Sequence, residues 1–243
     1  MKKTFLIVLL LLSCVFIFAQ LNPWLWATKA GGMGGDLCQG IAVDASGNSY
    51  VTGGFEGTAI FGSTTLESGG SQDIFVAKLD NRGNWLWAKK AGGTDSDYGY
   101  GIAVDASGNS YVTGYFYSAT ATFGSTTLTN NGFANIFIAK LDSSGNWLWA
   151  KNAGYSGCGT SGNGIAVDAS GNIYVTGDFS GSATFGSITL TSNGDSDIFI
   201  AKLDSSGNWL WAKNAGGTDY DYGQGIAVDA SGNSYVTGYF EST

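Results

Sequence analysis

The sequence contains no histidine, and among its 243 residues it has only one proline and three cysteines. Histidine is the side chain that most often acts as a general base near neutral pH. Without it, a serine or cysteine nucleophile also lacks its usual activating partner. Charged residues are sparse as well, at 12% of the chain. We therefore expect a protein that is not an enzyme.

Basic residues are outnumbered, with 11 Lys and Arg against 19 Asp and Glu and a formal net charge of −8. An acidic chain without basic clusters is poorly suited to nucleic acid or to an anionic membrane surface. Two of the cysteines, Cys38 and Cys158, occupy unrelated positions of the repeat described below. We expect free thiols there and no disulfide framework.

The N-terminus has the pattern of a secretory signal peptide. Lys2 and Lys3 precede an apolar run over 5–18, which is followed by the small residue Ala19. This pattern predicts a signal peptide over 1–19 and a mature chain over 20–243. The run is shorter than the ~18 residues that a spanning helix needs, so no membrane span is expected after cleavage.

A lipoprotein signal is the alternative, because the segment 11–14 resembles a lipobox that ends at Cys14. The residues after Cys14 remain apolar, which favours ordinary secretion. Either route predicts a location outside the cell or on its surface.

Most of the chain consists of one repeat. The string Gly-Ile-Ala-Val-Asp-Ala-Ser-Gly-Asn occurs unchanged at Gly40, Gly101, Gly164 and Gly225. Trp-Leu-Trp-Ala begins at Trp24, Trp85, Trp147 and Trp209 and accounts for all 8 tryptophans. Self-similarity at a fixed period is the mark of repeat architectures. The units run over about 40–92, 101–154 and 164–216, with a partial unit over 225–243 and a lone strand over 23–30.

Each unit has four strand patterns, and Asp-x-Ser-Gly-Asn turns join them in pairs. Aspartate caps such a turn, and glycine adopts the positive φ of a short hairpin loop. The strands are apolar on both faces, so their sheets must be covered on both sides. Radial stacking of small sheets achieves this and places the tryptophans between blades. The sequence predicts an all-β fold, a β-propeller of four-stranded antiparallel blades.

The motifs Gly-Ile-Ala-Val-Asp-Ala-Ser-Gly-Asn-x-Tyr-Val-Thr-Gly and Phe-x-Ala-Lys-Leu-Asp-x-x-Gly-Asn-x-x-Trp resemble the bacterial β-propeller repeat called SBBP. More distantly, they are similar to the NHL repeat of extracellular and scaffold propellers. The resemblance covers residues 23 to about 240. It implies a propeller fold and a secreted or surface location, and it implies no particular activity.

The repeats do not complete a ring. The partial unit 225–243 has the first two strands of a blade, the segment 23–30 supplies a fourth, and a third is missing. We expect about 3.5 to 4 blades in an incomplete or partly open ring, since an absent inner strand leaves unpaired edges. Either the natural protein is longer, or self-association with a second copy completes the ring.

Propeller topology places all the tight turns on one face. The inter-blade linkers and the long insertions 54–72 and 115–134 would then emerge on the opposite face. Because variable loops on a rigid scaffold usually carry binding, this loop-rich face is the predicted binding surface.

Two linkers, 94–100 and 218–223, stand out on that face. Their candidate ligand-binding residues are Asp95, Asp97, Tyr98, Tyr100, Asp219, Asp221 and Tyr222. Carboxylates two apart in an extended loop can share a Ca²⁺ ion, and tyrosines can stack on sugar rings. Calcium requires 6–8 oxygen ligands, so a solvated acidic loop is favoured, with a Ca²⁺ site and a glycan contact as alternatives.

The repeated aspartates of the first turn invite a metal interpretation too. Asp44, Asp105, Asp168 and Asp229 each begin an Asp-x-Ser-x-Asn series of oxygen-bearing residues. The glycine of this turn stands at position four, whereas a calcium loop needs it at six. Turn capping is therefore favoured.

We expect an exported, non-catalytic propeller that presents its loop-rich face to a protein or polysaccharide partner. One alternative is a structural module of a larger surface protein. Another is a carbohydrate-active enzyme with a carboxylate pair drawn from Asp95, Asp97, Asp178 and Asp219. A concave groove with tyrosines favours binding, and a featureless loop face favours the structural role.

The signal peptide gives a direct prediction. After expression in a bacterium, the N-terminus of the exported protein should be Gln20 by mass spectrometry, and Cys14→Ser should be exported unchanged. A lipid adduct on Cys14, or retention of residues 1–19, would contradict it.

Overall fold

The structure is a computed structural model that describes residues 25–154 and 159–241. These residues form 19 β-strands and no helix, which confirms the predicted all-β class. None of the described segments is a helix that could cross a membrane. The predicted signal peptide 1–19 with Cys14, residues 23–24 of the predicted lone strand, and Cys158 lie outside the described residues. The prediction of a strand over 23–30 is wrong for residues 25–30, which form none, and the first described strand begins at Gly31.

The strands assemble into repeated antiparallel sheets. The first blade contains β1 (Gly31–Gly32), β2 (Leu37–Val43), β3 (Ser49–Phe61), β4 (Thr64–Leu79) and β5 (Trp85–Ala91). Strands β2 to β5 pair in sequence order, and β1 pairs with the far end of β3.

The second and third blades repeat this plan. The second contains β6 (Asp97–Val104), β7 (Ser110–Phe116), β8 (Thr120–Phe123), β9 (Thr126–Thr129), β10 (Asn135–Leu141) and β11 (Trp147–Ala153). The third contains β12 (Thr160–Val167), β13 (Ile173–Phe179), β14 (Ser182–Phe185), β15 (Ile188–Thr191), β16 (Asp197–Leu203) and β17 (Trp209–Ala215). A two-stranded sheet of β18 (Asp221–Val228) and β19 (Ser234–Phe240) follows. The predicted four-stranded antiparallel blade is confirmed.

Aspartate caps explain why the strands turn where they do. Asp105 Oδ1 accepts the backbone N–H groups of Ser107 and Asn109, each at 2.9 Å, and its Oδ2 accepts Asn109 Nδ2 at 2.8 Å. Gly108 supplies the positive φ of 77° that the turn requires. The same bonds recur at Asp44, Asp80, Asp142, Asp168, Asp204 and Asp229. These aspartates are turn caps, as the favoured interpretation has it.

The hydrophobic core lies between blades. Ile136, Phe137 and Ile138 are successive residues of β10, and none of their surface is exposed, so both faces of the sheet are covered. One core cluster joins Val76 of the first blade to Phe137 of the second, and another joins Ile138 to residues of the third. Each sheet is therefore sandwiched between its neighbours.

The long insertions are hairpins, and the prediction that they emerge as loops is wrong. In 115–134 the strands β8 and β9 pair with each other, and Phe123 packs 4.9 Å from Phe137 and 5.3 Å from Trp147, between ring centroids. Thr122 also exchanges backbone hydrogen bonds with Gly92 of the preceding blade. The alternation of apolar and polar residues in these short segments buries one face against the blades.

The stack is open at both ends of the described residues. Ile41 of β2 is 68% exposed, whereas its equivalents Ile102 and Ile165 are 8% exposed. Tyr235 of β19 is 60% exposed, whereas its equivalent Tyr111 is fully buried. The predicted incomplete or partly open ring is confirmed.

Tryptophans tie each blade to the next. The second indole of the first three Trp-Leu-Trp motifs reaches the turn that precedes the fourth strand of the following blade. Trp87 Nε1 donates to Ser143 O at 3.2 Å. Trp149 lies over Gly207, where an added Cβ would approach its ring to 3.1 Å. Trp87 and Trp149 are half-buried between blades, and Leu148, which precedes Trp149, is exposed.

Trp149→Ala should lower the free energy of unfolding by about 3 kcal/mol, because it removes the ring that spans two blades. Leu148→Ala on the same strand is the control and should change it by about 0.5 kcal/mol or less. Urea denaturation of both variants measures the difference. Equal midpoints would show that Trp149 does not join the blades.

Candidate functional site

Aromatic side chains line the strand ends of the second blade on the face opposite the tight turns. Tyr98 and Tyr100 of β6 both contact Tyr115 at the end of β7, with ring centroids 5.4 Å and 5.5 Å away. Tyr117 lies 5.2 Å from Tyr115 and 5.1 Å from Phe133. Residues two apart on a strand share a face, so these rings form a continuous wall.

Cavities lie on both sides of this wall. One, of about 520 Å³, is lined by Ser71, Asp95 and Tyr98 in addition to the wall. The other has a volume of about 260 Å³, and its lining beyond the wall includes Asp178 and Tyr222. Both include Tyr115, Tyr117 and Phe133. We call the two cavities and their shared aromatic wall the tyrosine groove.

The far side of the tyrosine groove is formed by the last two-stranded sheet. Tyr220 and Tyr222 stack with 6.1 Å between centroids and an interplanar angle of 2°. Tyr220 is 44% exposed, so its ring is available to a ligand. Tyr239 of β19 packs behind Tyr222 at 6.4 Å.

Asp178 is the carboxylate of the smaller cavity. Burial raises its pKa to about 6, against the opposing effect of a hydrogen bond that Asn163 Nδ2 donates to Oδ1 at 3.1 Å. Asn163 Nδ2 also approaches Gly223 O at 2.8 Å and so links the third blade to the last sheet. The pKa of Tyr222 is raised, first by desolvation and then by the charge of Asp178.

The two carboxylates of linker 94–100 do not face the same way. Asp95 is exposed at the groove, whereas Asp97 is fully buried. Asp97 accepts hydrogen bonds from Gly93 N at 2.7 Å, Ser118 Oγ at 2.8 Å and Tyr117 N at 3.1 Å. Burial raises the pKa of Asp97 to about 6. The shared cation considered for this pair is not supported, because β6 begins at Asp97 and turns its side chain inward.

The linker 218–223 is built in the same way. Asp219 is exposed, and Asp221 is buried and accepts Gly217 N at 2.6 Å. Within residues 25–154 and 159–241, no group of three or more His, Cys, Asp or Glu side chains is placed to hold a metal ion. The buried aspartates instead hold the backbone of the blade junctions.

The structure thus brings Asp95, Tyr98 and Tyr222 to the groove, and Tyr100 stacks on Tyr115 of its wall. It adds Tyr115, Tyr117, Phe133, Asp178 and Tyr220, which sequence reasoning did not select as ligand contacts. The sequence itself marks part of this set. The residue after Tyr-Val-Thr-Gly is Gly54, Tyr115, Asp178 and Tyr239 in successive units, so this position departs from the repeat.

Comparison with known proteins identifies the repeat. The β-propeller repeat family SBBP matches residues 25–53, 86–115, 148–178 and 210–239. The chain belongs to this family. The last three matched segments contain a fourth strand, the inter-blade linker and the first hairpin of the next unit, so the tyrosines of both linkers lie within the SBBP matches.

Two further proteins are similar to this SBBP chain. An uncharacterized WD repeat-containing protein of Acanthamoeba polyphaga mimivirus is 31% identical over 156 residues, which is 57% of this chain. The chain spans only 11% of that relative's length. A crystal structure of a protein of unknown function from Bacteroides caccae aligns with a TM-score of 0.43 at 11% identity, over 83% of this chain and 53% of the other.

The raised pKa of Asp178 predicts a pH effect on stability. The ordinary pKa of Asp178 is 3.8, and its pKa in the folded protein is about 6. Between these two pH values, the folded state therefore keeps a proton on Asp178 that the unfolded state has released. Stability contributed by the protonated group is therefore lost as pH rises through this window. Asp178→Asn should gain stability relative to the parent from about pH 4 to about pH 6, and keep that gain at neutral pH.

Thermal unfolding at a series of pH values measures the difference between variant and parent. Asp204→Asn is a control of opposite sign, because the hydrogen bond from Asn208 lowers the pKa of Asp204. That variant should lose stability relative to the parent as pH rises toward 3.8, the ordinary pKa of Asp204, and change little between pH 4 and pH 6. If the difference in stability between Asp178→Asn and the parent does not change with pH, the carboxyl group of Asp178 in the parent is not desolvated.

Proposed function

We propose that this SBBP protein is an exported, non-catalytic propeller that binds a polysaccharide in the tyrosine groove. The observation that carries the proposal is the aromatic wall of Tyr115, Tyr117 and Phe133, with cavities on both sides and the Tyr220–Tyr222 stack beyond it. A spacer module would not need such a wall, whereas binding sites combine apolar surface with a few polar groups.

The groove offers both kinds of contact that a sugar uses. The flat tyrosine rings provide apolar faces for the C–H groups of a pyranose ring, and tyrosine combines such a face with a polar hydroxyl group. Asp178 supplies an acceptor beside the rings, and the hydroxyl groups of Tyr220 and Tyr222 supply donors. The two cavities share the aromatic wall, which suits several units of a polymer better than one small molecule.

The arrangement of carboxylates favours binding over glycoside cleavage. Cleavage requires two carboxylates that flank one glycosidic bond. Asp97 is buried and engaged by backbone donors, and Asp95 and Asp178 line different cavities of the groove. Export by the N-terminal segment would place the groove where extracellular polysaccharides occur.

Affinity electrophoresis against a panel of soluble polysaccharides, followed by titration calorimetry with any that retards the protein, tests the proposal. Tyr117→Ala and Tyr222→Ala should each weaken binding about tenfold, a loss of about 1.4 kcal/mol. Tyr235→Ala is the control, since Tyr235 is equally aromatic and 60% exposed but bonds to the turn aspartate Asp229 at the opposite end of its strand. Unchanged affinity in both groove variants, or binding of no polysaccharide in the panel, would overturn the proposal.

A further inference from the structure

The three complete blades place an equivalent polar residue at each blade junction. Asp73, Asn135 and Asp197 begin the Ile-Phe segment of the third strand, and their exposed fractions are 1%, 3% and 0%. A buried polar side chain requires hydrogen-bond partners. The partner comes from one position near the end of the fourth strand, which is occupied by Lys90, Asn152 and Asn214 in turn.

In the first and third blades, the two residues of this pair are hydrogen-bonded to each other. Lys90 Nζ donates to Asp73 Oδ2 at 3.0 Å, and Asn214 Nδ2 donates to Asp197 Oδ2 at 2.9 Å. Each aspartate thus has one bonded oxygen, although its Oδ1 has no partner among the described residues. These hydrogen bonds join the third strand to the fourth strand of the same blade.

The second blade departs from this arrangement. Asn152 Nδ2 donates instead to Thr129 O at 2.9 Å, away from Asn135. The single side-chain oxygen of Asn135 is buried and has no hydrogen-bond partner in the described part of the chain. A buried acceptor without a hydrogen-bond partner is destabilising, so this oxygen is suited to a donor from outside the protein.

A cleft opens beside Asn135. Its volume is about 680 Å³, whereas the equivalent cavity beside Asp73 and Lys90 measures about 340 Å³. We call it the junction cleft, and its polar and aromatic lining includes Asn135, Lys151, Asn152, Thr184, Asn208 and Trp209. It lies between the fourth strand of the second blade and the hairpin and fourth strand of the third.

The charge of the junction cleft is opposite to that of the protein. None of its lining residues is acidic, although the chain carries 19 Asp and Glu. Lys151 is its one charged lining residue. Among the described residues, the ion pairs involve Lys78 and Lys90, so the ammonium group of Lys151 has no carboxylate partner there. An anionic group is the complement of this site.

Trp209 supplies an aromatic wall. Phe185 packs edge-on against its indole at 5.2 Å and fixes the ring, which remains half-buried at the cleft. A fixed indole beside amide and hydroxyl groups is suited to a ring with one apolar face and polar substituents.

We propose that the junction cleft binds a sugar ring that bears a carboxylate, a hexuronate unit. Lys151 pairs with the carboxylate, Trp209 packs against the ring, and Asn135 Oδ1 accepts a hydrogen bond from a ring hydroxyl. The cleft shares no residue with the tyrosine groove. An experiment that rejects hexuronate binding in the junction cleft would therefore leave the proposal for the tyrosine groove unaffected.

The test uses the full-length secreted protein and two probes, D-glucuronate and neutral methyl D-glucoside, observed by saturation-transfer NMR titration. The parent should bind glucuronate saturably and methyl glucoside about tenfold more weakly, since the charge-assisted pair is absent. Lys151→Gln should reduce glucuronate affinity about tenfold. Lys89→Gln is the matched control at the equivalent position of the first blade and should leave affinity unchanged.

A second variant distinguishes loss of the binding site from loss of the fold. The double substitution Asn135→Asp with Asn152→Lys recreates at this junction the pair found at Asp73 and Lys90, so the fold should tolerate it. It should abolish glucuronate binding while the thermal midpoint stays the same or rises. Glucuronate binding that survives both variants, equal binding of the neutral glucoside, or no saturable binding in the parent would overturn the proposal.

Discussion

Strands that are apolar on both faces impose the constraint on which the rest of the structure depends. Ile136, Phe137 and Ile138 are consecutive and all fully buried, so a lone sheet of this sequence would expose one of its apolar faces to water. Stacking blade on blade removes both faces from water, and the half-buried tryptophans extend each contact to the turn of the next blade. The exposed Ile41 and Tyr235 show which surfaces the stack leaves uncovered at its ends.

The same stacking separates structural aspartates from exposed ones. Aspartates of the tight turns use both carboxylate oxygens to hold backbone and side-chain N–H groups, and they do so in every unit. Asp97 and Asp221 hold the linkers at the opposite ends of the strands. Most repeated charges are thereby engaged within the fold, and each proposed site includes side chains at positions where one repeat differs from the others.

Both proposed sites arise at such departures. Tyr115 and Asp178 occupy equivalent positions, and each lines the tyrosine groove. Asn135 replaces the aspartate found at Asp73 and Asp197, and Asn152 bonds elsewhere, whereas the equivalent pairs in the first and third blades are hydrogen-bonded. The cleft beside Asn135 has a volume of about 680 Å³, against about 340 Å³ beside Asp73. A repeated scaffold thus changes its surface chemistry through single substitutions, since the identical neighbouring blades preserve the packing around them.

The sequence by itself determined the blade, its strand order and its turns, because the Asp-x-Ser-Gly-Asn caps and the doubly apolar strands are local features that each unit repeats. It also indicated the openness of the ring, through the missing third strand of the unit 225–243. Only the tertiary structure showed that the insertions are hairpins packed on Trp147 and its equivalents, since that contact joins residues far apart in the chain. It also decided that Asp95 and Asp97 point in different directions and that Tyr117 meets Phe133. Those outcomes depend on where each strand begins and on which blade lies beside it, and neither is encoded in the spacing of the residues themselves.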